Sequence, residues 1–146
     1  MYEISVGIEH KNLYLAEPVR PTLNHNPFLD HTLKLRRGPD GVEMMPECGM
    51  CSSEDGFLHF SVIVTIGEEA AWQAVGDDHA VPATVSVHLL RPAHINAGCI
   101  TGKGILLRAG KRVIVSEGTV MQGLKLIAKV TATFVHFEKE RVEKVA

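Results

Sequence analysis

Hydrophobic and polar residues change their spacing near the middle of the chain. From Phe57 to Val75 almost every position is apolar, with His59 near the start of the run and Glu68 in its middle. The β-branched stretch 62–66 favours a strand, but the second half of the run is rich in helix formers and only a glycine separates the two. The pattern therefore predicts one helix, apolar nearly all round and hence buried, that ends at Gly76.

Alternating strands dominate the chain from Ala83 to Phe137. The predicted strands run from Ala83 to Leu89, Gly98 to Arg108, Lys111 to Gln122 and Leu124 to Glu138. Along the last one, alternate residues from Leu124 to Phe134 are apolar and are expected to share a face. Antiparallel strands with one apolar face need a cover for that face, and the central helix is the obvious one.

The region before the helix carries weaker signals. Segments 31–37 and 42–45 flank Gly38-Pro39-Asp40-Gly41, which predicts two strands or one bent hairpin. Residues 1–30 are expected to be a poorly patterned extension, and residues 139–146 a charged tail. At 146 residues the chain is most simply one domain spanning residues 1–146.

Charge and composition exclude several classes of function. The chain has 15 basic and 17 acidic residues, so no excess of positive charge favours a nucleic-acid partner. No stretch reaches the roughly 18 uncharged apolar residues of a membrane span, and the N-terminus lacks the pattern of a secretory signal. Three cysteines, an odd number, fit a reducing compartment. These features predict a soluble cytoplasmic domain without nucleic-acid or membrane partners.

Three motifs resemble those of a known family. They are Val87-His88-Leu89-Leu90-Arg91-Pro92-Ala93, the hairpin Arg108-Ala109-Gly110-Lys111-Arg112, and the closing strand from Gly123 to Phe134. In this order the motifs resemble the acyl-coenzyme A thioesterases of the hot-dog fold, in particular their phenylacetate-pathway branch, over roughly residues 33–137. The resemblance implies an α+β hot-dog fold, in which a long antiparallel sheet wraps around a central helix.

The same resemblance points to a catalytic site at the helix. The family has His-Gly-Gly at the helix start and an acidic residue nine positions after the histidine, where this chain has His59 and Glu68. The resemblance implies that the backbone N–H after the histidine polarises a thioester carbonyl and that Glu68 acts as general base or nucleophile. Phe60 and Ser61 replace the two glycines, so the Phe60 side chain is expected to crowd the acyl group.

Physical chemistry supports this choice of residues independently. A carboxylate inside an apolar helix is costly unless it is paired or used, and burial raises its pKa towards the range useful to a general base. A helix N-terminus offers free N–H groups and partial positive charge, which makes the backbone of Phe60 and Ser61 a sensible oxyanion site. Ser86, on the strand after the helix, is a candidate for holding the nucleophilic water.

Helix geometry predicts that the site needs two chains. Nine residues along a helix correspond to a rise of about 13.5 Å and a rotation of about 180°. His59 and Glu68 of one chain therefore cannot flank the same carbonyl, which predicts a homodimer or a dimer of dimers, as the resemblance also implies. Four basic residues are candidates for binding the coenzyme A phosphates: Arg91, Arg108, Lys111 and Arg112. No cofactor is expected beyond the coenzyme A of the substrate.

Several alternatives stay open. Glu68 has a structural role if a Lys or Arg pairs with its carboxylate. Glu69 is expected to be solvated. His59 is a capping or core residue if it has no catalytic role. Cys48-x-x-Cys51 has zinc-like spacing, but no second pair of ligands exists, and the setting of a thioredoxin-like redox motif is absent. At the level of function, the alternatives are a non-catalytic hot-dog protein that binds an acyl-CoA or similar ligand, and a hot-dog hydratase or dehydratase.

Overall fold

A computed structural model describes residues 28–77 and 79–136 of the chain. Within these residues one α-helix, α1 (Phe60–Val75), packs on one face of an antiparallel sheet. The sheet contains β1 (Arg36–Gly38), β2 (Gly41–Met44), β3 (Ala80–Leu89), β4 (Ile100–Ala109), β5 (Val113–Gln122) and β6 (Lys125–His136). The spatial order of the strands is β1-β2-β4-β5-β6-β3, so β3 forms one edge of the sheet. The predicted helix and the predicted antiparallel sheet are both confirmed.

The helix starts three residues later than its apolar run. Phe57 and Leu58 are extended and form isolated bridges with His94 and Cys51, respectively. At its other end, Gly76 adopts the left-handed conformation (φ 67°) and donates its N–H to the Trp72 carbonyl, as expected of a glycine C-cap. The prediction that α1 is buried all round is wrong: one face packs on the sheet, and the side chains of the remaining face are partly exposed.

Small residues bring α1 unusually close to the sheet. Gly118 of β5 faces the backbone of Gly67, and a Cβ built on Gly118 would lie 1.9 Å from the Gly67 carbonyl oxygen. Gly104 of β4 faces the Ala70 carbonyl in the same way. Glycine is required at these two strand positions because any side chain would overlap the helix backbone.

The hairpin before the helix is shorter than predicted. Residues 28–32 form a π-helical turn, Lys34 has a positive φ of 52°, and β1 begins only at Arg36. The Leu35 N–H donates to the Leu29 carbonyl at 2.9 Å, which closes this turn on the strand. The predictions for residues 1–27 and 137–146, including most of the N-terminal extension and the charged tail, lie outside the described residues.

The last strand follows the predicted alternation over most of its length. Ala128, Val130, Ala132 and Phe134 are fully buried against the helix. Leu124 is 99% exposed in the turn before β6 and does not share that face, whereas Ile127 is buried. A register irregularity opposite Val120 and Met121 makes Ile127 an extra residue in β6, which shifts the alternation at the start of the strand.

Candidate active site

His59 caps the first turn of α1. Its backbone is extended (φ −64°, ψ 139°), and its Nδ1 accepts the Ser61 N–H at 3.2 Å and lies 2.7 Å from the Ser61 hydroxyl. The His59 N–H in turn donates to the Met50 carbonyl at 2.8 Å. The capping alternative for His59 is thus observed: the imidazole satisfies one of the free N–H groups at the helix start.

The Phe60 N–H is the free donor at this end of the helix. Among the described residues it forms no hydrogen bond, while the Ser61 N–H is already bonded to His59. The predicted pair of oxyanion donors is therefore reduced to one. The Phe60 ring is 56% exposed and stacks at a tilt on the His59 ring, with centroids 4.6 Å apart. Ser61 has its hydroxyl turned to His59.

An open cleft of about 320 Å³, lined in part by Phe60, lies between the start of α1 and the end of β3. Its walls are mainly apolar, and Arg91 contributes a positive charge. The cleft is lined by Leu58, Phe60, Ile63, Leu89, Leu90, Arg91, Pro92 and Ala93. The backbone N–H groups of Leu90 and Arg91 both donate to the Ile127 carbonyl, at 2.8 and 3.1 Å, so the β6 bulge fixes this wall. The cleft combines apolar surface, a hydrogen-bond donor and a positive charge.

Glu68 lies in the middle of α1 and is half-buried. In the described part of the chain no cation or hydrogen-bond donor pairs with its carboxylate, and burial raises the pKa of this carboxyl group above its ordinary value. Trp72 lies one helical turn later on the same side and packs on Phe134 of β6, with ring centroids 6.0 Å apart. Glu68 therefore lies on the side of α1 nearer to β6 and the β3 edge.

The neighbouring carboxylate has a different environment. Glu69 is only 12% exposed and accepts a hydrogen bond from Arg37 of β1 at 3.4 Å, and Arg37 also pairs with Asp30. Burial raises the pKa of Glu69, and the nearby Arg37 guanidinium opposes this rise. The prediction of a solvated Glu69 is wrong. Arg37 has no sequence signal as a partner of Glu69, because only the sheet topology brings β1 next to the helix.

The β3 edge leaves apolar side chains uncovered beside the helix. Val85 and Leu89 pair with Ala132 and Ala128, which are buried against α1, so both project from the helix-facing side of the sheet. They are nonetheless 41% and 53% exposed. Within the described residues the outer edge of β3 pairs with no strand. A single chain thus has an unpaired edge and an apolar surface on the side of Glu68.

Ser86 lies on the opposite face of the sheet. It pairs with Thr131 of β6, and its neighbours on β3, Val85 and Val87, face the helix, so the Ser86 side chain projects away from α1. Within one chain, Ser86 therefore cannot hold a water molecule next to Glu68. Ser86 lies on the strand predicted for it, and its face follows from the register of that strand with β6.

The four basic residues fall into two separate groups. Arg91 lies in the cleft at the start of α1. Arg108, Lys111 and Arg112 are exposed around the β4–β5 hairpin, where the Arg112 carbonyl accepts the N–H of His136 from the end of β6. That hairpin lies at the end of the sheet nearer to the C-terminus of α1, roughly one helix length of 24 Å from Arg91. One chain does not bring the four cations together.

His94 lies near the cleft residues Pro92 and Ala93 in the chain. His94 has both ring nitrogens in hydrogen bonds, to the Asp55 carbonyl at 2.7 Å and from the Asn96 N–H at 3.1 Å, which indicates a structural role. In residues 28–77 and 79–136, no three His, Cys, Asp or Glu side chains are arranged to hold a metal ion. The described helix is too short and too polar to cross a membrane.

Comparison with solved structures identifies the architecture. A phenylacetic acid degradation-related protein of Ralstonia eutropha JMP134, named as a candidate thioesterase, is 22% identical and matches over 76% of this chain and 91% of its own, with a TM-score of 0.66. A point mutant of the phenylacetic acid degradation protein PaaI from Thermus thermophilus is 18% identical, with a TM-score of 0.64 over 77% of this chain and 100% of its own. The chain has the hot-dog fold.

The fold agrees with the resemblance predicted from the sequence. A third hot-dog neighbour, BH2602 from Bacillus halodurans, was solved with CoA. It is 16% identical and matches over 92% of this chain and 91% of its own, with a TM-score of 0.67. No protein-family model matches the sequence, and no curated protein matches it either. At these identities the comparisons establish the shared fold, and the site must be argued from its own residues.

Proposed function

We propose that the protein is an acyl-coenzyme A thioesterase. The observation that carries the proposal is the combination, on one helix, of a half-buried carboxylate and an N–H that both lack a partner among the described residues, with an apolar cleft at the residue that carries the N–H. Hot-dog neighbours named as candidate thioesterases, and one solved with CoA, support the choice of reaction and carrier.

The reaction is the hydrolysis of a thioester. Glu68 accepts a proton from a water molecule as that water attacks the carbonyl carbon, or attacks the carbon itself to give an anhydride that water then opens. The negative charge that develops on the carbonyl oxygen is stabilised by the Phe60 N–H and the partial positive charge of the helix start. Collapse of the tetrahedral intermediate breaks the carbon–sulfur bond, and the products are a carboxylic acid and free coenzyme A.

The proposal requires a homodimer. Phe60 and Glu68 are separated by about 12 Å along the axis of α1, so the N–H of one chain must meet Glu68 of a second copy. The uncovered edge of β3 lies on the side of α1 that carries Glu68 and is the surface expected to pair. Arg91, and separately the hairpin residues Arg108, Lys111 and Arg112, are kept as two candidate sites for the phosphates of coenzyme A.

The free N–H is tested by a pair of substitutions at one position. Phe60→Pro removes both the ring and the N–H, whereas Phe60→Ala removes only the ring. Proline is tolerated at the first residue of a helix, and His59 already has the extended backbone, with ψ 139°, that a residue before proline favours. We expect thiol release by Phe60→Pro to be about 10²–10³-fold slower than by Phe60→Ala. Equal rates would refute the oxyanion role.

The carboxylate is tested in the same assay. Glu68→Gln keeps the shape of the side chain but cannot accept the proton, so turnover of a panel of short, long and aromatic acyl-CoAs should fall by about 10²–10⁴-fold. Glu69→Gln is the matched control on the adjacent position. Turnover that survives in Glu68→Gln would contradict the proposed mechanism.

A second candidate function is a non-catalytic protein that binds an acyl-CoA. The exposed Phe60 ring favours it, since the ring stands beside the only unpaired N–H at the described helix start, where glycine would leave room for a substrate. In that case neither wild type nor Glu68→Gln releases thiol, while coenzyme A or an acyl-CoA raises the melting temperature of both.

A further inference from the structure

Two cysteines share one turn immediately ahead of α1. Residues Cys48–Met50 form a 3₁₀ turn, and the Cys51 N–H donates to the Cys48 carbonyl at 3.1 Å. A 3₁₀ helix has three residues per turn and rises about 2.0 Å per residue, so side chains three apart are eclipsed and their Cα atoms are about 6 Å apart. A disulfide requires a Cα separation of roughly 4.4–6.8 Å, so the Cα spacing of this turn is compatible with one once the two side chains turn towards each other.

The two thiols differ in their access to solvent. Both are free; Cys48 is exposed, while Cys51 is half-buried and packs against the hydrophobic core. This arrangement suits an exchange reaction in which an accessible thiol reacts first and a sheltered one completes the bond. Cys99, the third cysteine, lies elsewhere, with its Sγ 3.5 Å from the Met44 carbonyl oxygen.

The turn is hydrogen-bonded to the residue that caps the helix. The Met50 carbonyl, between the two cysteines, accepts the His59 N–H at 2.8 Å. Cys51 forms a bridge with Leu58, and the Ser52 N–H donates to the Phe57 carbonyl at 2.9 Å. A constraint on the turn therefore acts directly on the segment that leads into α1 and on the backbone next to the Phe60 N–H.

We propose that Cys48 and Cys51 form a reversible disulfide and that its closure tightens the start of α1. The oxidant is a low-molecular-weight disulfide. The Cys48 thiolate attacks one of its sulfurs and releases one small thiol; the Cys51 thiolate then attacks the Cys48 sulfur of the mixed disulfide and releases the second. The protein loses two electrons and two protons, and the small disulfide is reduced to two thiols.

The first test counts thiols on the full chain. After treatment with oxidised glutathione and removal of the reagent, we expect the wild type to retain one thiol of its three, with peptide mapping locating a Cys48–Cys51 bond that dithiothreitol reverses. Cys99→Ser should fall from two thiols to none, and Cys48→Ser should not form the internal bond. Three unchanged thiols, a lasting glutathione adduct on Cys48, or a bond to Cys99 would each overturn the proposal.

The second test measures the effect on the helix start. Hydrogen exchange of the His59 amide, which donates to Met50, should be several-fold slower in the oxidised wild type than in the reduced wild type, and should not respond to the oxidant in Cys48→Ser. Equal exchange in both states of the wild type would refute the coupling to α1. Neither readout depends on thioester turnover, so this proposal fails or stands separately from the proposed function.

Discussion

The close approach of α1 to β5 makes Gly118→Ala a demanding test of how the helix is positioned. The added Cβ would lie 1.9 Å from the Gly67 carbonyl oxygen, whereas real Cβ atoms essentially never approach another heavy atom within 3.0 Å. The two backbones must therefore separate by at least about 1.1 Å. Neither partner is a flexible side chain that can turn away. Glu68 is the next residue of the helix and must move with Gly67.

We expect Gly118→Ala to lower the free energy of unfolding by about 3 kcal/mol, at the upper end of the usual cost of overpacking, because backbone meets backbone. The measurement is urea unfolding followed by circular dichroism. Gly49→Ala is the matched control: its Cβ would meet nothing within 4 Å, and its φ is not positive. It should unfold within about 0.5 kcal/mol of the wild type.

The same substitution links packing to the proposed chemistry. A displacement of about 1 Å at a catalytic group can reduce turnover by about 10²-fold, so thiol release should fall even at temperatures where Gly118→Ala is fully folded. An unfolding midpoint equal to that of the wild type would refute the reasoning, because it would mean that the helix and sheet have room to spare. A destabilised variant with undiminished turnover would show that the position of Glu68 is not critical.

Three further outcomes follow from the site. Glu68→Gln should unfold at a higher temperature than the wild type at neutral pH. Burial raises the pKa of the Glu68 carboxyl, so its ionisation lowers the stability of the wild type as pH rises through the raised pKa. The difference in melting temperature between the variant and the wild type should therefore vanish below the ordinary pKa of a glutamate. A difference that does not depend on pH would contradict this cause. Arg37→Met should cost about 2 kcal/mol in urea unfolding by removing the cation that Glu69 shares with Asp30, and adding Glu69→Gln should recover the part of the loss that is due to Glu69. Phe60→Gly should increase kcat/KM most for bulky acyl-CoAs, whereas equal gains for all chain lengths would show that the ring does not limit the acyl group.

Periodic patterns allowed the sequence to predict much of the fold. The helix and the strands from Ala83 onward follow from hydrophobic spacing and turn residues, which act over a few positions and can be recognised locally. The family motifs then placed His59 and Glu68 on one helix. The environment of Glu68, half-buried and without a cation among the described residues, agrees with the cost argument that first singled it out.

The errors arise from interactions between distant segments. Arg37 and Glu69 are 32 positions apart in the chain and meet only because β1 reaches the flank of α1. The face occupied by Ser86 depends on its register with β6, and a single extra residue at Ile127 moved the apolar face at the start of that strand. None of these has a local sequence signal.

The length of α1 between Phe60 and Glu68 also has a genetic consequence. If each site takes its N–H from one copy and its carboxylate from the other, two inactive alleles can restore each other. In a mixed dimer of Phe60→Pro and Glu68→Gln, one site carries both defects and the other is wholly intact. With equal expression and random pairing, co-expression should yield about one quarter of the wild-type activity. A loss-of-function allele at the start of the helix would thus complement one at Glu68. Two alleles that both remove the N–H, or two that both remove the carboxylate, would not complement each other.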